Sequence, residues 1–103
     1  MELVVVQGDA LEFEFAIFEE KTGEEYVLRD GERLFFMAKP SCQSGDCVIH
    51  EVQTNKYFHI KKVDLMPGVY EFDAGIMFAD GSTKTVIDAE IGKLKVKRKT
   101  GNR

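Results

Sequence analysis

Apolar and polar side chains alternate most regularly over residues 70–78, with the period of two expected of a β-strand that has one buried face. The apolar face would carry Tyr70, Phe72, Ala74, Ile76 and Phe78, and the other face Glu71, Asp73, Gly75 and Met77. Shorter runs at 2–7, 11–18, 32–39, 47–52, 57–60, 83–88 and 89–99 predict further strands. No apolar period of 3.6 residues persists along the chain, so we predict an all-β protein.

Turn signals between these runs refine the prediction. Asp30-Gly31 and Asp80-Gly81 each indicate a β-hairpin. The strand at 32–39 is apolar on both faces, so we expect it to be central in its sheet or covered on both faces. Pro40 should end that strand because proline lacks the N–H group that a ladder requires, and Gly92 suggests a β-bulge. Short strands with frequent turns are typical of a sandwich or a small barrel.

Length and charge narrow the class of protein. The 103 residues and 11.7 kDa predict one domain over residues 1–99, followed by a tail at 100–103. All six charged side chains from Lys93 onward are basic, which leaves eight basic against 18 acidic residues before them and a formal charge of −10. An acidic body argues against nucleic acid as a partner. No apolar run approaches the roughly 18 residues that span a bilayer, and residues 1–7 lack the features of a signal peptide, so we expect an intracellular protein without a membrane partner.

The cysteines and histidines are the candidates for a metal site. Cys42 and Cys47 flank a short loop, and His50 and His59 follow downstream. These residue types suit zinc, but their spacing matches no compact zinc module, and strand alternation points Cys47 and His50 to opposite faces. A hairpin disulfide is a second alternative, although it is unusual in a reducing cytosol. We favour two free thiols without metal and leave the pairing of Cys42 with Cys47 open.

No motif indicates catalysis. Residues 81–85 resemble a phosphate loop only loosely, because the spaced glycines and the following helix are missing. Asp73 and Asp88 fall on outer strand faces, where carboxylates are usually solvated, and no serine stands in a recognisable relation to a histidine. We therefore predict a protein that is not an enzyme and has no cofactor.

The segment 64–73 carries a recognisable local motif. Pro67-Gly68 predicts a type II turn, because proline sets φ at the second position and glycine supplies the positive φ at the third. A leucine, a Pro-Gly turn and a tyrosine two residues later resemble the tyrosine corner of immunoglobulin-like sandwiches, whose hydroxyl bonds to the backbone upstream. The resemblance implies an immunoglobulin-like antiparallel β-sandwich of about seven to nine strands, with Leu65, Pro67, Gly68 and Tyr70 as its structural corner.

Three segments resemble small immunoglobulin-like structural proteins of tailed phages and of prophages in Gram-positive bacteria. They are residues 4–13, residues 28–36, and a third that runs from 65–73 through 79–87 to 92–96. Such proteins look like the amino-terminal domains of baseplate or receptor-binding subunits. The resemblance implies a non-enzymatic virion structural or tail and baseplate accessory subunit. Its partners would be itself, as a homo-oligomer, and other virion proteins, and it would lie in the host cytoplasm before assembly into the virion.

Two observations bear on this interpretation. The chain stops at residues 99–103, shortly after its last predicted strand, whereas receptor-binding members continue, so a small structural or connector subunit is favoured. The alternative is a surface- or carbohydrate-binding immunoglobulin-like module of a bacterial adhesin. Such modules usually present exposed Trp or Tyr platforms, and this chain has no Trp and three Tyr.

Four apolar residues fall at positions that the alternation directs outward: Phe18, Phe35, Met37 and Met77. They form a candidate interface, since several large apolar side chains on a surface usually mark a contact. Two simpler explanations stand beside it: the predicted register is shifted by one residue, or these are ordinary scattered apolar residues.

Overall fold

The computed structural model describes residues 1–40 and 48–99. Over these ranges the protein is all-β, as predicted, and has eight strands. The strands are β1 (Glu2–Val6), β2 (Leu11–Glu14), β3 (Arg33–Pro40), β4 (Ile49–Gln53), β5 (Tyr57–Ile60), β6 (Gly68–Met77), β7 (Thr83–Ile87) and β8 (Lys93–Lys97).

The strands form two sheets, and neither closes into a barrel. In the main sheet the order is β1-β8-β6-β3-β4, with β7 also paired to β6, and the small sheet consists of β2 and β5. Strand β3 lies between β6 and β4, which confirms its predicted central position. The main sheet is mixed, because β1 runs parallel to β8. The expectation of an antiparallel architecture is therefore wrong for this pair, since alternation specifies the faces of a strand and not the direction of its neighbour.

Strand β6 has partners along both edges. Strand β3 covers one edge, while β8 pairs with residues 68–71 and β7 with residues 74–77 on the other. The register between β6 and β7 shifts between Ala74 and Gly75, so the bulge lies there and not at Gly92 as predicted. A Cβ on Gly75 would collide with the Lys84 carbonyl oxygen, and a Cβ on Gly92 with the Phe72 carbonyl oxygen. Both glycines are required by close approach of two backbones.

The core lies between the two sheets and is rich in phenylalanine. Phe13 and Phe58 of the small sheet stack with their ring centroids 5.1 Å apart. Phe13 also lies 5.0 Å from Phe36 of the main sheet, which in turn lies 4.9 Å from Phe72. We call this packed face of the main sheet the inner face and the opposite one the outer face. Burying each such ring stabilises the fold by roughly 1.5–3 kcal/mol, so this layer of rings is a main source of stability.

The predicted turns have different outcomes. Asp80-Gly81 closes the β6–β7 hairpin, in which the Gly81 N–H donates to the Phe78 carbonyl at 2.9 Å, and this prediction is confirmed. Asp30-Gly31 does form a turn, with the Glu32 N–H donating to the Arg29 carbonyl at 3.0 Å. No strand leads directly into that turn, so the predicted hairpin is wrong there. Strand β3, which follows the turn, pairs with β6 and β4 instead.

The Pro67-Gly68 segment also differs from its prediction. Gly68 has a φ of +153°, whereas the third position of a type II turn has a φ of about +80°. Gly68 is already the first residue of β6 and pairs with Val96. Pairing with β8 extends the backbone at this position, so the type II turn is wrong while the need for glycine is confirmed.

Candidate interaction surface

Tyr70 anchors the end of the molecule at which β6 begins. Its buried ring lies on the inner face, and its hydroxyl donates to the Met66 carbonyl at 2.7 Å. Leu65 packs against the core, whereas Pro67 and Gly68 are exposed. The hydrogen bond runs to backbone four residues upstream, the direction that a tyrosine corner requires.

The four candidate interface residues do not share one surface. Phe18 is 61% exposed and borders a groove that inner-face residues also line. Phe35, Met37 and Met77 alternate along their strands with core residues, and they therefore lie on the outer face. Met37 and Met77 are half-buried, and Phe35 is only 2% exposed. The expectation that Phe35 is an exposed contact residue is therefore wrong. Phe35 lies opposite Gly75 in the register between β3 and β6. Because glycine has no side chain, its position leaves room for the Phe35 ring on the outer face.

An apolar concavity, which we call the Phe18 groove, lies on the inner face beside β7. It encloses about 610 Å³. Its apolar lining consists of Ile17, Phe18, Tyr26, Ile76, Phe78 and Val86, and its polar lining of Glu19, Glu20, Lys21, Lys84 and Thr85. One side of the groove is therefore a strand, β7, and the other side is the segment that carries Phe18.

That segment, which we call the 17–26 loop, is held closed by its own backbone. The Tyr26 N–H donates to the Ile17 carbonyl at 2.7 Å, and Phe18 forms an isolated β-bridge with Glu25. At the tip, the Gly23 N–H donates to the Glu19 carbonyl at 2.8 Å, with Gly23 at a φ of +75°. Because the loop is bonded to itself, the Phe18 side chain stays on the surface of the loop and the position of its ring is fixed.

Tyr26 forms the wall between the Phe18 groove and a second groove of about 520 Å³. The Tyr26 hydroxyl donates to Glu32 Oε1 at 2.7 Å, and the same oxygen accepts the Arg29 N–H at 2.9 Å. The bonds from the Arg29 N–H and from Tyr26 lower the pKa of the Glu32 carboxyl, and the bond to Glu32 raises the pKa of Tyr26. This network holds the tyrosine in place.

Lys56 of the second groove forms ion pairs with two carboxylates. Lys56 Nζ lies 3.1 Å from a Glu25 carboxylate oxygen and 3.3 Å from one of Glu14. These two carboxylates, Glu25 first, raise the pKa of Lys56. The Lys56 ammonium thus bridges two carboxylates and joins Glu25 of the 17–26 loop to Glu14 of β2.

Strand β7 is an edge strand. It pairs with β6, and no other strand within residues 1–40 and 48–99 pairs with its opposite side. Thr83, Lys84, Thr85 and Val86 are all exposed. Of this surface, the sequence indicated Phe18 as an outward apolar residue but not the β7 side. The groove lies on the inner face, and the adjacent apolar pair Val86-Ile87 was the sequence signal on that side.

The other candidates are placed as follows. Cys42 and Cys47 lie outside the described residues. His50 is exposed on β4, and His59 is exposed on β5 in the other sheet, with its Nδ1 3.4 Å from a Glu12 carboxylate oxygen. Across the described part of the chain, no three His, Cys, Asp or Glu side chains group closely enough to hold a metal ion.

The two candidate catalytic carboxylates, Asp73 and Asp88, lie in different settings, since Asp73 is half-buried on β6 opposite Met37 and Asp88 lies in a turn. Asp88 accepts the Glu90 N–H at 3.0 Å in the turn between β7 and β8. Asp80 accepts both the hydroxyl of Ser82, at 2.6 Å, and its N–H, at 2.9 Å, and these bonds lower the pKa of the Asp80 carboxyl. Residues 81–85, which loosely resemble a phosphate loop in sequence, thus begin in a hairpin turn that the Asp80 side chain stabilises.

Comparison of the chain with protein-family models, with curated proteins and with solved structures finds no match. In residues 1–40 and 48–99, no helix has the length and apolar character needed to cross a bilayer.

Proposed function

We propose that this chain is a non-enzymatic structural subunit of a phage or prophage virion, of the tail or baseplate accessory kind, and that it acts through protein–protein contacts. The observation that carries the proposal is the Phe18 groove, an apolar concavity beside an open strand edge. Exposed apolar surface next to unpaired backbone groups is the usual character of a protein contact site. The segments that resemble phage structural proteins supply the class of assembly.

The proposed fold is an immunoglobulin-like sandwich. Two packed sheets around a phenylalanine core support it, and so does the Tyr70 hydroxyl that bonds to the Met66 carbonyl. The small second sheet and the parallel β1–β8 pair are departures from the usual pattern. The proposed partners are a second copy of this chain and other virion proteins, met in the bacterial cytoplasm before assembly into the particle.

An adhesin module that binds a surface or a carbohydrate is the less favoured alternative. Tyr57 is exposed, whereas Tyr26 is half-buried and Tyr70 is buried. The Tyr57 ring already has Lys56 Nζ 5.8 Å from its centroid. A single exposed tyrosine is a small platform for stacking on a sugar, so this surface favours a protein partner.

Fractionation of phage particles tests the proposal. Particles released from an induced bacterial host would be purified on a density gradient and probed with an antibody against this chain. We expect the chain to sediment with the particles, while a cytosolic host protein stays behind. If the chain remains in the cytosolic fraction while other virion proteins sediment, the structural role is wrong. Detection on the surface of uninduced cells would favour the adhesin alternative.

A further inference from the structure

We propose that two copies of this chain pair through the free edges of their β7 strands, antiparallel about a two-fold axis, so that their Phe18 grooves meet. The inference rests on the proposed function, because it names the surface through which such a subunit would associate with itself. Three independent observations lead to it: the strand edge, the apolar side chains beside it and the placement of charges.

The edge of β7 is suited to pairing with its own copy. A free edge presents N–H and C=O groups that another strand can satisfy. The segment TKTVI has four β-branched residues, Thr83, Thr85, Val86 and Ile87, and no proline or glycine interrupts it. An antiparallel pair of identical strands is self-complementary about a two-fold axis, the commonest symmetry of homo-oligomers.

The same operation brings apolar surface together. A two-fold axis that relates antiparallel neighbours is perpendicular to the sheet, so the inner faces of both copies lie on the same side. The Phe18 groove borders β7 on that face. Phe18, 61% exposed, and Val86, 42% exposed, therefore approach the axis from both copies. Four large side chains form the apolar centre that a specific contact needs.

The charges beside the groove are complementary between copies. Lys84 lies on the strand side, and Glu19 and Glu20 lie on the loop side. Within the described residues, none of these three side chains takes part in an ion pair. When the two-fold axis passes near Thr85, the 17–26 loop of each copy faces β7 of the other copy. Lys84 of one copy then lies opposite Glu19 and Glu20 of the other. A second copy thus offers opposite charges to a groove whose own Lys21, Lys84, Glu19 and Glu20 form no ion pairs among the described residues.

Disulfide trapping tests the edge pairing directly. Both native cysteines would first be replaced by Cys42→Ser and Cys47→Ser, and Thr85→Cys would be introduced. Opposed Cα atoms in an antiparallel pair are about 4.5–5.5 Å apart, within the range that a disulfide bridges. We expect Thr85→Cys to form a covalent dimer on mild oxidation. Lys61→Cys, exposed on the small-sheet side, is the control and should stay monomeric.

Sedimentation velocity tests the apolar centre and the charges. We expect the wild-type chain to be a dimer at micromolar concentration and Phe18→Asp to raise its dissociation constant about thirtyfold, as loss of a central aromatic does. Met66→Asp is a matched control, because Met66 is 74% exposed at the opposite end of β6. Lys84→Glu should also weaken the dimer, and adding Glu19→Lys and Glu20→Lys should restore it. A circular dichroism spectrum shows that each variant is folded.

The outcomes separate this inference from the proposed function. A monomer at every concentration overturns the pairing, and so does a dimer that survives Phe18→Asp and gives no Thr85→Cys cross-link. In the second case the copies associate through another surface. Particle fractionation decides the structural role independently of either result, since a subunit that does not pair through β7 would still sediment with the virion.

Discussion

The two halves of β6 differ in how completely their surroundings are closed. Residues 68–72 form the corner half: residues 68–71 pair with β8, which is followed outward by β1, and the Phe72 N–H donates to the Gly92 carbonyl just before β8. Residues 74–77, the open half, pair with β7, and no strand of the described chain follows outward. Both halves continue one alternation of apolar and polar side chains, so the difference arises entirely from their neighbours.

Backbone contacts close the corner half. The Gly8 N–H donates to the Val63 carbonyl at 2.8 Å, and the Val63 N–H to the Asp9 carbonyl at 2.9 Å. The Gln7 N–H donates to the Lys97 carbonyl at 2.8 Å, which ties β8 to the same region. Leu94 and Val96 of β8 are buried there, whereas all of β7 except the half-buried Ile87 is exposed. Both halves of β6 bury side chains in the core, so the difference lies in the flanking strand: β8 adds buried residues to the core, and β7 is mostly exposed.

The largest expected effect separates the two halves by stability. Phe72→Ala removes a buried ring that packs against Phe36, and we expect a loss of about 3–5 kcal/mol. Val86→Ala shortens an exposed side chain beside the open half, and we expect a change within about 0.5 kcal/mol. Urea denaturation of both variants measures this. Equal losses would contradict the burial of Phe72 in the core and the exposure of Val86 at the edge.

Tyr70 tests the corner itself. Tyr70→Phe keeps the ring but leaves the Met66 carbonyl without its partner, so we expect a loss of about 1–3 kcal/mol. Tyr70→Ala should cost more, because a cavity is added. Tyr57→Phe is the matched control, since this hydroxyl is on an exposed ring and its removal should change stability by less than about 0.5 kcal/mol. Denaturant melts in which Tyr70→Phe equals the wild type would refute the stabilising role of the hydroxyl.

Gly75→Ala is designed to perturb the open half of β6 alone. Its Cβ would collide with the Lys84 carbonyl oxygen, and we expect a loss of about 1–3 kcal/mol as β7 shifts away from β6. Amide hydrogen exchange at low protein concentration locates the effect. The amides of β7 should lose protection while those of β8 keep theirs. Equal loss in both strands would show that the two halves open as one unit.

The smallest expected effect is a local pH dependence beside the Phe18 groove. The Arg29 N–H and the Tyr26 hydroxyl lower the pKa of the Glu32 carboxyl in the folded state. The stabilisation is therefore present above the ordinary pKa of glutamate, about 4.3, and is lost as the pH falls through the lowered folded-state value. In an NMR titration the Arg29 amide should shift with a midpoint below about 4.3 and lose that shift in Glu32→Gln. A midpoint at or above that value would contradict the network.

Local signals were sufficient for much of the secondary structure. The alternation over residues 70–78 correctly placed Tyr70, Phe72, Ala74 and Ile76 in the core. The predicted strand at 57–60 has the same bounds as β5. Asp80-Gly81 forms the predicted hairpin, which joins β6 and β7. These features depend on the residue itself and its near neighbours, through side-chain alternation and the backbone preferences of glycine.

Alternation and turn residues were thus enough to predict an all-β protein, a strand in each of these regions and the core face of β6. The strands predicted at 11–18 and 89–99 are shorter in the structure, at Leu11–Glu14 and Lys93–Lys97, because alternation does not show where pairing stops. The tertiary structure alone decided that β1 runs parallel to β8, that Phe35 is buried opposite Gly75, and that Phe18 borders an open groove. Each of these depends on which distant segment lies alongside a strand or covers its face. Such pairings join residues far apart in the chain, and a period of two specifies faces without specifying partners.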